Sequence, residues 1–88
     1  MTKTTRGAEH APDLSCAAQR GRLLEYLVAH GQIATSEART VLAVMSPAAR
    51  VMELRAAGFD IETRRMWVED ESGVPHFQGV YALRGGAK

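Results

Sequence analysis

The chain has 88 residues, of which 45% are hydrophobic and 24% charged, and its formal net charge is +1. This length suits one small domain with a compact core and argues against a full enzyme cleft. A charge so near zero excludes strong attraction to nucleic acid through total charge, so a binding surface must come from local placement. Cys16 is the one cysteine, which excludes an internal disulfide and favours a reducing compartment.

Neither a membrane span nor a secretion signal is predicted. No apolar run approaches the roughly 20 residues that cross a bilayer. The opening residues, MTKTTRGAEHAP, lack the apolar stretch of a secretion signal. We therefore expect a cytoplasmic protein. Polar and glycine-rich composition predicts flexible tails at residues 1–13 and 85–88, around one domain at residues 14–84.

The first predicted helix begins at Asp13 or Ser15 and ends before Gly31, a typical stop residue. Its apolar residues recur at helical spacing and predict one stripe toward the core, formed by Cys16, Leu23, Leu24, Leu27 and Val28. Because Cys16 lies on this stripe, we expect a buried and unreactive thiol.

A second, shorter helix is predicted after an extended segment at residues 32–34. Thr35 or Ser36 can cap its N-terminus, and the helix ends near Leu42. One face is apolar and consists of Ala38, Val41, Leu42 and Met45. Residues 43–45 then form a packed turn, which predicts a helix-turn-helix with the segment that follows.

The third predicted helix has both ends marked in the sequence. Ser46 can accept a hydrogen bond at its N-terminus, Pro47 suits the first helical position, and Gly58 suits the residue that ends it. The inward stripe is predicted to be Ala48, Val51, Leu54 and Arg55. The opposite face is Ala49, Arg50, Glu53 and Ala56. Most of that face is small, so the helix could approach a surface such as a DNA groove closely.

A β-hairpin is predicted to close the domain. Residues 60–68 and 76–83 alternate at the period of a strand, and residues 69–75 form the turn. A lone hairpin is marginal in water, so one side must pack on the helices. The candidates for that side are Ile61, Tyr81 and Leu83, and residues 32–34 are a candidate third strand.

The single tryptophan, Trp67, belongs to the first strand of this hairpin. We expect it to be partly buried against the domain. It shares a strand face with Arg65, which makes a cation–π contact a candidate arrangement.

Four segments carry a resemblance to a known family: QRGRLLEYLVAHG (19–31), TSEA (35–38), VMSPAARVMELRAAGFDIETRR (44–65) and VYAL (80–83). Together they resemble the small winged helix-turn-helix proteins common in phages and prophages, over about four-fifths of the chain. The order of predicted elements agrees with that fold. The resemblance implies an α+β winged helix-turn-helix, with three helices and a C-terminal wing of two or three strands, that binds double-stranded DNA.

The same resemblance assigns candidate contacts. The third helix would enter the major groove and place Ser46, Ala49, Arg50 and Glu53 at bases or nearby phosphates. Arg50 is the strongest of these because arginine can pair with guanine, although an ion pair with Glu53 is the alternative.

Phosphate contacts are expected from Arg20, Arg22, Arg39, Arg64 and Arg65. Arg20 and Arg22 are about as readily explained as solvated surface charges. Arg64 and Arg65 are adjacent on a strand, so at most one can face the DNA. The loop acids Glu69, Asp70 and Glu71 would be repelled by phosphate, which argues against a deeply inserted wing tip.

Catalytic and metal-binding signals are weak. His10, His30 and His76 are far apart with one cysteine, so no zinc-binding spacing is present, and no glycine-rich phosphate loop occurs. We predict no enzyme activity, metal, cofactor, membrane partner or small-molecule ligand.

The predicted function is transcriptional regulation of a phage or prophage type through duplex DNA, with a homodimer or a partner protein raising a weak affinity. The alternatives are a protein-interaction module and an adaptor in a nucleoprotein complex. A positive face around Arg50 favours DNA, whereas an apolar face with exposed Met52, Met66 or Trp67 favours protein.

Overall fold

The computed structural model describes residues 13–85. The predicted tails lie outside the described residues, apart from Asp13 and Gly85. The elements are α1 (Cys16–His30), β1 (Gln32–Ala34), α2 (Thr35–Leu42), α3 (Pro47–Ala56), β2 (Asp60–Glu69) and β3 (Pro75–Gly85). The predicted α+β winged helix-turn-helix is confirmed: within residues 13–85, three helices accompany a three-stranded antiparallel sheet.

The sheet has the order β1-β3-β2, so the predicted third strand is present. Ile33 of β1 lies opposite Tyr81 of β3, and Tyr81 lies opposite Thr63 of β2. The β2–β3 ladder continues far beyond β1, as far as Glu69 opposite Pro75. The hairpin therefore has a base that β1 supports and a distal part, residues 65–78, that we call the wing.

The core lies between the helices and the base of the sheet. Its buried members are Leu23, Leu27, Ile33, Ala38, Val44, Val51, Leu54, Ile61 and Tyr81. Leu83 packs against this cluster while partly exposed. The predicted packed side of the hairpin is thus confirmed, as is the packed turn through Val44.

Several residues predicted to face the core are exposed instead. Val28, Val41 and Met45 are more than half exposed, and Cys16 and Ala48 are also exposed. Each of these residues lies at or near the helical spacing of the apolar stripe, but no other element of the described chain packs over its side chain. Periodicity gives the direction of a side chain, and burial requires a partner opposite it.

Gln19 is a buried polar residue that the apolar pattern did not predict. It is 4% exposed, and both ends of its amide are bonded. Its Nε2 donates to the Leu14 carbonyl at 2.6 Å, and its Oε1 accepts from the Met45 amide at 2.8 Å. A buried amide with both groups satisfied ties the start of α1 to the turn before α3.

The predicted ends of α1 and α3 are largely confirmed. Ser15 caps α1 by accepting from the Ala18 amide at 3.2 Å. Gly31 and Gly58, which follow the two helices, have φ angles of 93° and 107°, a region that favours glycine. The prediction for Ser46 was wrong, because its side chain makes no capping hydrogen bond.

The N-terminus of α2 is held by the sheet. Ala34 is the capping residue and has no side-chain oxygen to offer. The Gln78 Oε1 atom accepts from the Ser36 amide at 2.7 Å, while the Thr35 hydroxyl donates to the Gly79 carbonyl at 2.8 Å. A tertiary contact therefore replaces the local cap that the sequence predicted.

Candidate nucleic-acid interface

The exposed side of α3 differs from the side that periodicity predicted. Pro47, Val51 and Leu54 are its buried residues. The side chains that remain exposed form what we call the outer face: Ala48, Met52, Arg55 and Ala56. The outer face consists mainly of small or flexible side chains, which would allow the helix axis to come close to another surface.

Arg55 is the positive group on the outer face, although the sequence placed it inward. Its Nε donates to the Ile61 carbonyl and its Nη2 to the Thr63 hydroxyl, each at 2.8 Å. These contacts tie the end of α3 to the start of β2. A helical pattern alone could not identify Arg55, because its position depends on how β2 leaves the helix.

Arg50 lies away from the outer face, in a network with α1. Its Nη2 is 2.8 Å from Glu53 Oε2, and its Nη1 donates to Cys16 Sγ at 2.9 Å. The Arg50 side chain is only 11% exposed, and its buried Nε has no acceptor among residues 13–85. The alternative of an ion pair with Glu53 is therefore the arrangement in the free domain.

Arg20 completes this network from α1. Its Nη1 is 2.8 Å from the other carboxylate oxygen of Glu53, Oε1. The hydrogen bond from Arg20, with a second from Arg50, holds the pKa of Glu53 below its usual range. One carboxylate thus binds two guanidinium groups, and we call Arg20, Arg50 and Glu53 the bridged cluster.

Arg22 is occupied by the backbone. It donates to the carbonyls of Asp13 and Leu42 at 2.7 Å and of Ala43 at 3.2 Å. Ala43 has a left-handed φ of 55°, which a non-glycine residue adopts at some cost. Arg22 therefore stabilises the turn between α2 and α3, and its phosphate contact stays a prediction.

The three other arginines that were predicted to contact phosphate are exposed. Arg39 on α2 makes no ion pair with any residue from 13 to 85. Arg64 lies 3.3 Å from Glu62, and Arg65 lies over the Phe77 ring, 5.5 Å from its centroid. Arg64 and Arg65 project from opposite faces of β2, as the strand pattern predicts.

Ser46 and Ala49 lie at the N-terminal end of α3. Ser46 is exposed and Ala49 is half-buried, next to the outer face. Neither residue is buried, and their base contacts stay a prediction.

The wing carries an exposed aromatic pair. Trp67 is 69% exposed and Phe77 is 52% exposed, and their ring centroids are 5.5 Å apart. The prediction that Trp67 is partly buried was wrong, because no helix among residues 13–85 covers the face of the wing on which it lies. Arg65 stacks on Phe77, and not on Trp67.

The wing tip is an acidic turn organised by Asp70. Its Oδ1 accepts from the Ser72 amide and hydroxyl and from the Val74 amide, while its Oδ2 is 2.8 Å from His76 Nε2. The hydrogen bond from Ser72, followed by that from His76, holds the pKa of Asp70 far below its usual range. The predicted turn apex is confirmed by Gly73, whose φ is 87°.

An open groove of about 550 Å³ separates the wing tip from α2. It is lined by Ala34, Ser36, Glu37, Thr40, Val41, Val68, Glu69, Asp70, Glu71 and Ser72. Four of these side chains are acidic, so this side of the domain repels phosphate.

The charge of the described part of the chain is slightly negative. Residues 13–85 contain eight arginines and no lysine against nine aspartates and glutamates, a balance of −1. Lys3, Arg6 and Lys88, which lie outside those residues, account with Glu9 for the total of +1. Any DNA-binding surface on the domain must therefore separate its charges in space.

The model of the winged helix-turn-helix domain family matches residues 18–85, so the chain belongs to that family. Domains of this class are typically DNA-binding modules without catalytic activity, which suggests DNA binding here. Searches of curated proteins and of solved structures gave no match.

Two structural absences apply to residues 13–85. No helix in this part of the chain is long and apolar enough to cross a membrane. Nor do histidine, cysteine, aspartate and glutamate side chains gather there in a group that could hold a metal ion.

Proposed function

We propose that the domain binds duplex DNA with the outer face of α3 against the major groove. The observation that carries this proposal is an exposed, mainly small-residue face on the third helix of a winged helix-turn-helix. Ala48 and Ala56 let the backbone approach the groove, and Met52 can adapt to base edges and thymine methyl groups. Arg55 supplies a positive charge at the C-terminal end of this face.

Phosphate contacts would flank that face. Arg39 is exposed and unpaired among the described residues, and either Arg64 or Arg65 can turn toward a backbone. Phosphate contacts position a protein without reading sequence, so these residues would contribute affinity on every duplex.

A negative charge added to the outer face tests the proposal. Ala48→Glu places a carboxylate in the proposed interface at an exposed position, so we expect the fold to persist. Like charges across an interface cost several kcal/mol, so affinity for a mixed-sequence duplex should fall by roughly tenfold or more. Fluorescence anisotropy at 50 and 200 mM salt measures this loss.

Ala29→Glu is the matched control, because Ala29 is an exposed alanine on α1. It makes the same change of charge away from the outer face and should alter affinity little. Equal losses in the two variants would argue against α3 as the interface. No binding by the natural chain at 50 mM salt would overturn autonomous DNA binding.

Transcriptional regulation in a phage or prophage setting is the finer part of the proposal. It rests on the resemblance of the four sequence segments described above. Selection of bound duplexes from a random library would test regulation, since a regulator should enrich a defined site. Enrichment of a palindrome would also support a homodimer, because half-site symmetry reflects protein symmetry.

A protein-interaction module is the second candidate, favoured by charge and exposure. The described residues have a balance of −1, and Met45, Met52, Met66 and Trp67 are all at least 39% exposed. Exposed methionine and aromatic side chains are typical of protein contacts. Sedimentation of the natural chain and of Met52→Lys tests self-association. A dimer that the natural chain forms and Met52→Lys does not form would favour this candidate.

A further inference from the structure

We infer that Glu53 restrains DNA affinity by competing with phosphate for Arg20 and Arg50. This inference rests on the proposed DNA binding and assigns Glu53 a role as a residue that limits affinity for DNA. In the free domain its two carboxylate oxygens are each 2.8 Å from one of the two guanidinium groups. Two positive charges that could meet phosphate are therefore already neutralised in part.

The Arg20–Glu53 pair of the bridged cluster is accessible enough to exchange partners, whereas the Arg50 side chain is only 11% exposed and must move outward to do so. The side chains of Arg20 and Glu53 are 36% and 38% exposed, so solvent and salt screen their attraction. Ion pairs of this kind are weak, and a phosphate offers guanidinium the same paired acceptor geometry as a carboxylate. Replacing Glu53 by phosphate would therefore cost little.

Arg50 adds an independent reason to expect exchange. Its buried Nε finds no acceptor among residues 13–85, although Nη1 and Nη2 are both bonded. A buried donor without an acceptor is unfavourable, so this position does not satisfy the guanidinium fully. Nε would gain an acceptor if the guanidinium turned toward a phosphate that takes the place of Glu53.

The consequence is a lower affinity for duplexes of arbitrary sequence. While Glu53 is present, each duplex must displace a carboxylate and tolerate its negative charge nearby. A site with good contacts to the outer face can overcome that opposition, whereas an arbitrary duplex gains only phosphate contacts. Glu53 thus lowers the affinity for every duplex, so that a site needs good contacts to the outer face to be bound.

Glu53→Gln tests this directly, since it removes the charge and keeps the size of the side chain. Affinity for a mixed-sequence duplex should rise, and the slope of log affinity against log salt should steepen by up to about 1.8, or about 0.9 per released arginine. The gain over the natural chain should then shrink by roughly tenfold between 50 and 200 mM salt.

Glu25→Gln is the matched control. Glu25 is exposed on α1 and makes no ion pair with residues 13–85, so its loss changes the net charge equally and releases no arginine. It should leave the salt slope unchanged. Circular dichroism of both variants during thermal unfolding establishes that the fold is retained.

A double-mutant cycle with Arg20→Ala separates release of an arginine from loss of repulsion. In the natural background Arg20→Ala should alter affinity less than twofold, whereas in the Glu53→Gln background it should remove about half of the gain in slope. Equal effects of Arg20→Ala in both backgrounds would overturn the inference, as would equal effects of Glu53→Gln and Glu25→Gln. Absence of binding by both the natural chain and Glu53→Gln at 50 mM salt would instead overturn the proposed function and the inference together.

Discussion

The base and the wing of the β2–β3 hairpin are built from the same two strands but differ in what covers them. At the base, Ile61 and Tyr81 are 3% and 7% exposed because helices and β1 surround them. In the wing, Trp67 and Phe77 are equally apolar and yet mostly exposed. A strand pattern therefore predicts which side chains share a face, whereas burial depends on a partner above that face.

The two ends also differ in what orders them. The base is ordered by apolar packing and by β1, whose Ile33 pairs with Tyr81. The wing tip is ordered by polar contacts within the turn, mainly to the Asp70 carboxylate. We therefore expect the base to determine the stability of the whole domain and the wing to be a local structure.

The largest expected effect is at the base. Ile61→Ala removes a buried side chain from the core, and such substitutions cost about 2–5 kcal/mol through lost burial and a cavity. Urea unfolding followed by circular dichroism measures this loss in the free energy of unfolding. A loss below about 1 kcal/mol would mean that the base contributes less to the domain than its burial indicates.

An intermediate and local effect is expected at the wing tip on acidification. Because hydrogen bonds lower the pKa of Asp70 in the folded state, its contribution is present above the ordinary value of 3.8 and is lost as the pH falls below that value. Nuclear magnetic resonance should show the Ser72 and Val74 amide shifts moving at a pH well below 3.8.

The Asp70→Asn variant is the control for the acid titration, because residue 70 then carries an amide and has no carboxyl group to protonate. Its Ser72 and Val74 amide shifts should not move over the same acidic range. Titration of the natural wing tip at the ordinary aspartate pKa would show that the turn hydrogen bonds do not persist in solution.

The smallest effect is expected at the exposed aromatic pair. Trp67→Ala should change the free energy of unfolding by no more than about 0.5 kcal/mol, as is usual for exposed positions. The same urea experiment that measures Ile61→Ala provides the comparison. A loss above about 1.5 kcal/mol would place Trp67 in a packed environment and erase the contrast between base and wing.

Much of the fold could be predicted because its signals are local. Gly31, Gly58 and Gly73 each mark a real change of direction with a positive φ angle. The site was harder to predict, and Arg50 illustrates why. Its helical position suggested an outward guanidinium, but Cys16 and Glu53 hold it beside α1.

Arg55 shows the opposite error, since it was placed inward and lies on the outer face. A contact with the Ile61 carbonyl depends on where β2 begins relative to α3, which no spacing within the helix encodes. The helical spacing of Ala48, Met52 and Ala56 was a signal for the outer face. Periodicity alone did not decide which residues on either side of Val51 complete the buried stripe.

The order of helices and strands, the ends of most of them and the apolar residues available for a core could all be read from the sequence. These properties follow from backbone preferences and periodicity over a few residues. The exposed face of α3, the pairing of the arginines and the uncovered wing could not be read in this way. Those outcomes depend on how α1, α3 and the sheet pack, because a side chain more than 30 positions away, such as Glu53 for Arg20, can neutralise a charge that appears free in the sequence.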